Sequence, residues 1–314
     1  MRFLITGGAG FIGVSLANYL VAQGHTVRVL DDLSAGYAER LHTDIHFTRG
    51  HVEDKPKIWR LLNKIDCVYH LAARVSVPES VLYPREYNQT NVSGTVAVME
   101  AMRDAGVKRV VLASSGAIYG VQSVEKVHEG LLPNPASPYA VSKLAAENYV
   151  HTIGKLWDIE TVSLRIFNAY GPGQSIPPIH APVIPAFVQQ ILGHGSILIH
   201  GNGQQSRDFI YVDDVVRALA LAATAKGINR EIINIGTGSG TNMKQLIGAI
   251  EVTTHQRAQI IKNPTIQPGV INLVADTQQA ENLLNFTPQI ALADGLAMLV
   301  ERDPQFQPNT NIRK

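Results

Sequence analysis

Cysteine is almost absent: Cys67 is the only one among 314 residues. A single thiol excludes an intrachain disulfide and any thiolate cluster around a metal, and it fits a reducing compartment. Charge is scarce too, with Asp, Glu, Lys and Arg at 17% of the chain, against roughly 25% in ordinary soluble domains. The 27 basic and 26 acidic side chains leave a formal charge of +1. That balance excludes a nucleic-acid binder held by a broad basic surface, and it excludes an acidic disordered tail. Long apolar runs are missing as well. No stretch approaches the roughly 18 residues of a membrane helix, and the most apolar helical segment, Val215 to Ala225, carries Arg217. Met1-Arg2-Phe3-Leu4-Ile5 runs straight into glycines, without the apolar core of a secretory signal. The expectation is a cytoplasmic globular protein with no membrane partner.

What is present is alternation. Phe3–Ile5, Val27–Leu30, Cys67–Tyr69 and Val110–Ala113 read as short buried strands. Between them lie helix-length segments, Ile12 to Gln23, Lys57 to Asn63 and Asn88 to Asp104, with Gly24 and Gly106 placed as C-caps. A further helix, Pro138 to Trp157, leads to a strand at Thr161 to Phe167. Such alternation predicts an α/β fold, a Rossmann-like doubly wound parallel sheet. The rhythm breaks in the proline- and glycine-rich stretch Asn168 to Pro185, read as a long loop. Arg207 to Val212 and Ile232 to Ile235 read as returning strands around a helix from Asp214 to Ala225. The remainder reads as a helical, loop-rich lobe whose polar tail, Arg302 to Lys314, is expected to fray. At 314 residues the chain exceeds the roughly 250–300 that one core sustains. The expected division is residues 1–168 plus 206–237 as a dinucleotide-binding domain, with a smaller C-terminal α/β lobe, 169–205 plus 238–314, over the substrate.

Gly8-Ala9-Gly10-Phe11-Ile12-Gly13 follows the first strand and opens the first helix. Glycines at this spacing make a tight turn, admit a pyrophosphate close to backbone and let helix pack on strand. Asp31 ends the second strand, where a carboxylate accepts from a ribose 2′-hydroxyl and repels a 2′-phosphate, favouring NAD over NADP. Tyr139 and Lys143 stand four apart on a predicted helix and so share a face. A phenol with pKa about 10 is a poor base at neutral pH, but a nearby ammonium and a nicotinamide cation favour its phenolate. Ser114 and Ser115 end a strand whose carboxyl end would border a ligand crevice. The eleven histidines show no metal-binding spacing; His42 and His46 read as solvated surface. Trp59 and Trp157 are expected in the core.

The chain resembles the extended short-chain dehydrogenase/reductases, the nucleotide-sugar epimerase and dehydratase family. The resemblance runs through Thr6–Gly13, Asp31-Asp32-Leu33-Ser34, His70-Leu71-Ala72-Ala73, Asn91–Thr95, Ser114–Gly120 and Ser137–Lys143. It continues through Arg165–Pro172 and Arg207–Asp214. It implies NAD as cofactor, Tyr139 as base, Lys143 as its electrostatic partner and Ser115 as hydroxyl donor to the substrate. Gly7, Gly10, Phe11, Ile12, Gly13, Asp31, Asp32, Ser34, His51, Val52, Leu71, Ala72, Ala73, Arg74, Asn91 and Ser114 would join Tyr139 and Lys143 around that cofactor. Asn168, Val183, Arg207 and Gln267, with Ser115, would hold a nucleotide-diphosphate sugar.

Family dehydratases resemble one another in carrying carboxylates directly after the catalytic hydroxyl residue; here Gly116 and Ala117 stand there. That leaves reversible oxidation at C4, a 4-epimerisation, with UDP-glucose and UDP-galactose as the expected pair. Epimerisation of a UDP-N-acetylhexosamine or UDP-glucuronate, another dehydratase or reductase reaction, and a non-catalytic NAD-binding regulator remain as alternatives. Two departures affect binding: His51 replaces the Asp that the family usually sets against adenine, and Gln267 stands where it usually has a second diphosphate-binding Arg. An amide gives up that bidentate, charge-assisted contact. Leu273 or Val274 lies near the family's size-selecting position and is not aromatic. A homodimer, formed through Asn88–Asp104 and Pro138–Trp157, is also implied.

Overall fold

The computed structural model describes residues 1–263 and 270–307; Gln267 lies outside them. The chain opens with β1 (Arg2–Thr6), α1 (Phe11–Ala22), β2 (Thr26–Asp31), β3 (His46–Arg49), α2 (Lys55–Leu61) and β4 (Cys67–His70). Two short helices, α3 (Val77–Leu82) and α4 (Pro84–Asn88), lead through a π-helical turn, Gln89–Ser93, into α5 (Gly94–Ala105). Then come β5 (Arg109–Ser115), α6 (Pro138–Trp157) and β6 (Glu160–Ile166). The rest begins with β7 (Asn168–Tyr170), α7 (Val183–Leu192), β8 (Ser196–His200), β9 (Ser206–Tyr211), α8 (Val212–Thr224) and β10 (Glu231–Ile235). It ends with β11 (Gly240–Asn242), α9 (Met243–Thr254), β12 (Gln259–Asn263), β13 (Asn272–Leu273), α10 (Gln278–Leu284) and α11 (Leu292–Arg302).

Seven parallel strands form one sheet in the order β10-β6-β5-β4-β1-β2-β3. The chain runs outward from β1 to β3, returns to β4 and proceeds the other way. Such a switch point opens a crevice at the carboxyl ends of β1 and β4. The strands are apolar on both faces, as a sheet covered on both sides requires. Phe3 and Ile5 of β1 face a core shared with Leu16 and Leu20 of α1 and Val215 and Leu219 of α8. Leu4 between them faces Val98 and Met102 of α5 and Val150 of α6. Cys67 is buried in β4. Trp59 departs from the expected core position: it is 51% exposed. Trp157 packs at the edge of the second core, with the Arg103 guanidinium 4.4 Å from its ring centroid.

Several boundaries differ from those the sequence suggests. The helix expected from Asn88 begins as α4 and widens at Asn91, whose Nδ2 reaches out of the helix to Arg74 O at 3.0 Å and Ser142 Oγ at 2.9 Å. A side chain held from both sides favours a π-turn over a straight α-helical run. The long loop after Phe167 starts as strand β7 and ends by Val183, where α7 begins. Strand β9 does not join the large sheet with which residues 206–237 are grouped by sequence. It pairs with β7, β11 and β13 in a small separate sheet; α8 and β10, which follow it, do pack with the large one. The C-terminal end is docked at least to Phe306, which is buried. There Asp303 accepts from Gly173 N at 2.7 Å.

Candidate active site

The glycines at the β1–α1 turn are held by space. Gly7 has φ +70, and a Cβ there would stand 2.6 Å from Ala72 N on the neighbouring β4 turn. A Cβ on Gly8 would meet Val29 at 2.7 Å, and one on Gly13 would strike the Gly7 carbonyl. The turn therefore packs directly on the β4 turn that carries Leu71, Ala72 and Ala73. Helix α1 starts at Gly10 with no side-chain cap and no acidic residue in its first turn. Its first amides and the positive end of its dipole are thus left for an anion. Asp31 closes the rim: its carboxylate accepts from Ala9 N at 3.0 Å and Leu33 N at 2.8 Å, and burial pushes its pKa up. An uncapped helix start, a glycine floor and a buried carboxylate one strand away fit the pyrophosphate and ribose of a dinucleotide.

Around this cradle the remaining predicted residues are placed as follows. Asp32 accepts from Ser34 N at 2.9 Å and lies 3.3 Å from the His51 ring. Burial acts upward on Asp32, but the Ser34 hydrogen bonds and His51 together bring its pKa down. Val52 is buried, and Gly94 of α5 is the only residue type that fits against it. Asn91 Oδ1 accepts from Arg74 N at 2.8 Å, pinning the β4 turn to α5. The Arg74 side chain turns to Glu79 at 3.3 Å, with its guanidinium 6.0 Å from the Tyr87 ring centroid. Ser114, expected at the cofactor, directs its hydroxyl to Glu147 at 2.7 Å.

Ser137 caps α6 by accepting from Ala140 N at 3.2 Å, and Pro138 occupies its first turn. That start sets Tyr139 and Lys143 on the buried face of α6 against β5. The Tyr139 phenol lies near enough to the Ser115 hydroxyl for the two to interact, so these two residues converge as expected. Burial pushes the phenol above its ordinary value and the nearby Ser115 hydroxyl acts against it; Lys143 is not among the groups that shift it. Lys143 is 4% exposed, and desolvation pushes its ammonium down to about 8 while Glu147 draws it up. Across from it, His70 bridges Thr6 Oγ1 at 2.7 Å and Thr95 Oγ1 at 2.8 Å. Thr95 gives its proton to Asn91 O at 2.6 Å, so His70 donates through Nε2 and accepts at Nδ1. Burial, aided by Lys143, drives its pKa down to about 3, which keeps the ring neutral.

The substrate side is built differently. Asn168 is exposed on β7, which pairs directly with β9, the strand that carries Arg207. Arg207 donates to Ser206 O and Val270 O, both at 2.8 Å. Burial lowers its pKa, with no carboxylate acting against that, so it is a partly desolvated cation suited to an anionic ligand. Val183, at the start of α7, lines a cavity of about 240 Å³ with Phe187, Leu198, Gln205 and Met243. Glu147, Arg165, His70 and Asn234 take up polar places around the site that the sequence motifs do not announce. Spacing offered one signal, because Glu147 repeats the four-residue step from Tyr139 to Lys143.

Residues 3–236 match the NAD dependent epimerase/dehydratase family. Over 96% of its length the chain is 37% identical to UDP-glucose 4-epimerase of Mycolicibacterium smegmatis, covering 98% of that protein. The structure of UDP-glucose 4-epimerase from Thermotoga maritima, with UDP-glucose, is similar at TM-score 0.91 and 35% identity, over 96% of this chain and 98% of that one. UDP-N-acetylglucosamine 4-epimerase of Methanobrevibacter ruminantium, in complex with UDP-N-acetylmuramic acid, is similar at TM-score 0.89 and 31% identity, over 96% and 97%. Alongside the glycine cradle and the Asp31 rim, these matches show that the chain belongs to the NAD dependent epimerase/dehydratase family and uses NAD.

Proposed function

We propose that the protein is a nucleotide-sugar 4-epimerase acting on UDP-glucose and UDP-galactose. One observation carries the reading: acid–base chemistry is available at Tyr139 and Ser115, and nowhere in the two residues that follow Ser115. Gly116 has no room for a carboxylate, since a Cβ there would stand 3.1 Å from the Phe167 ring. Ala117 carries no proton to transfer and gives its amide to Ser115 Oγ at 3.1 Å. Elimination of water from C5–C6 needs such an acid and base; oxidation and reduction at C4 do not. Bound NAD supplies the reversible hydride acceptor. Tyr139 takes the C4 hydroxyl proton and returns it, Ser115 orients that oxygen, and Arg207 holds the diphosphate while the 4-keto sugar turns over.

Leu273 supports a pocket that also accepts a 2-N-acetyl group. Leu273 and its neighbour Val274 are both buried and aliphatic, so neither presents an aromatic ring of its own at that position. We also propose a homodimer through α6, where Val141, Tyr149 and Leu156 are 52%, 46% and 72% exposed along one stripe. The test offers UDP-glucose, UDP-N-acetylglucosamine, UDP-glucuronate and dTDP-glucose to the enzyme without reductant, with anomeric proton NMR. Interconversion of UDP-glucose and UDP-galactose is expected. A 4-keto-6-deoxy product would overturn the argument from Gly116 and Ala117, and no turnover at all would favour a regulator.

A further inference from the structure

Beneath the catalytic residues the sheet carries a polar row where its neighbours are apolar. Ser114 of β5, Arg165 of β6 and Asn234 of β10 stand opposite one another in register. The Arg165 side chain is 3% exposed and that of Glu147, one turn past Lys143 on α6, is 1% exposed. Glu147 Oε1 accepts from Arg165 Nη2 at 2.7 Å, and its Oε2 accepts from Arg165 Nε at 3.2 Å and from Ser114 at 2.7 Å. The guanidinium lies 4.7 Å from the Tyr119 ring centroid, and Tyr119 donates to Asn234 Oδ1 at 2.7 Å. Asn234 in turn donates to Val127 O at 2.9 Å and Asp276 O at 3.2 Å.

A buried ion pair is weak as a stabilising device. Replacing one by apolar residues of similar volume is often neutral or favourable, because two desolvation penalties disappear. Its place here, between the helix bearing Tyr139 and Lys143 and the strand ending in Ser115, points to another use. We infer that Glu147 is a positioning residue for the reaction, locking α6 onto the ends of β5 and β6 and setting a buried negative charge one helical turn from Lys143. This rests on the proposed function for its consequence in turnover, though not for its electrostatics.

Few groups act on Lys143: on its own helix Glu147, which Ser114 of β5 and Arg165 of β6 hold in place, and on β4 the neutral ring of His70. Desolvation works against the ammonium and Glu147 works for it. Without that carboxylate the ammonium gives up its proton at lower pH, and turnover falls earlier on the alkaline side.

The experiment titrates Lys143 Nζ by nitrogen-15 NMR, assigned by the loss of its signal in Lys143→Met, and records kcat against pH. In Glu147→Gln the Nζ midpoint should fall by about one pH unit, and the alkaline limb of kcat should move with it while KM changes little. A double variant, Glu147→Leu with Arg165→Met, keeps the helix packed without burying a lone charge, and its Nζ midpoint should also lie below wild type. An unshifted midpoint in Glu147→Gln, or a wild-type midpoint in the double variant, would reduce Glu147 to a packing residue and overturn the inference. If the midpoint shifts as expected while no nucleotide sugar is turned over by the wild type, the 4-epimerase reading fails and the electrostatic role of Glu147 stands.

Discussion

The two sides of the proposed cleft are built by different means. On the cofactor side the work is done by backbone: an uncapped helix start, glycines pressed against neighbouring main chain and one buried carboxylate. On the proposed sugar side it would fall to side chains on short strands, chiefly the desolvated Arg207, which donates to the carbonyls of Ser206 and Val270. A backbone cradle costs little charge and leaves a spacing that can be read in sequence. A side-chain site gains adaptability, and its identity changes with single substitutions.

The largest expected effect lies where the two sides meet. Tyr139→Phe should reduce kcat by about 10²- to 10⁴-fold and leave NAD bound; unchanged turnover in the four-sugar assay would remove Tyr139 as the base. Next is the acid stability of the cofactor side. His70 stays neutral in the fold down to about 3, while the unfolded chain protonates it near 6.5. Between those values the unfolded state binds the extra proton, so stability falls as pH falls, by about 1.4 kcal/mol per unit. His70→Asn should flatten that slope in urea unfolding measured from pH 7 to pH 4, and an unaltered slope would show that His70 is not the group responsible.

On the sugar side, Arg207→Leu should raise KM by about 10- to 100-fold, the worth of a charge-assisted contact of about 1.5–3 kcal/mol, with little change in NAD affinity. Equal losses for both ligands would erase the contrast between the sides. Gly7→Ala should do the reverse, weakening NAD by about tenfold through its left-handed φ and the cost of about 1–2 kcal/mol for a Cβ there. Calorimetric titration of NAD and of UDP-glucose separates the two. The smallest effect tests association: Leu156→Glu should weaken the dimer by a few-fold to tenfold by light scattering, with kcat maintained. A wild-type monomer would dispose of the α6 interface.

The same contrast explains what the sequence could disclose. The parallel sheet was legible because buried strands and amphipathic helices alternate at fixed periods, and the dinucleotide cradle because glycine spacing encodes steric contact. The meeting of Ser115 with Tyr139 was implied by the family resemblance, since a serine at a strand end is by itself no more than a turn residue. Strand β9 was misplaced in its sheet because Arg207–Val212 has the composition of any buried strand, and pairing with β7 and β11 is a long-range choice. The π-turn at Asn91 was read as α-helix because its cause is a side chain held by Arg74 and Ser142, far away in sequence. The hydroxyl of Ser114 is engaged by Glu147, which no local pattern announces, and Trp59 looked like core although half of it is exposed. Partners of this kind arise only when helix and sheet pack.

Cys67 offers a use outside catalysis. Its side chain is fully buried in a strand inside the seven-stranded sheet, and burial pushes its thiol up to about 12. A thiol so sheltered is nearly inert toward alkylating reagents until β4 separates from its neighbours. With only this one cysteine in the chain, the rate of its modification is a clock for opening of the central sheet, read without introducing any label.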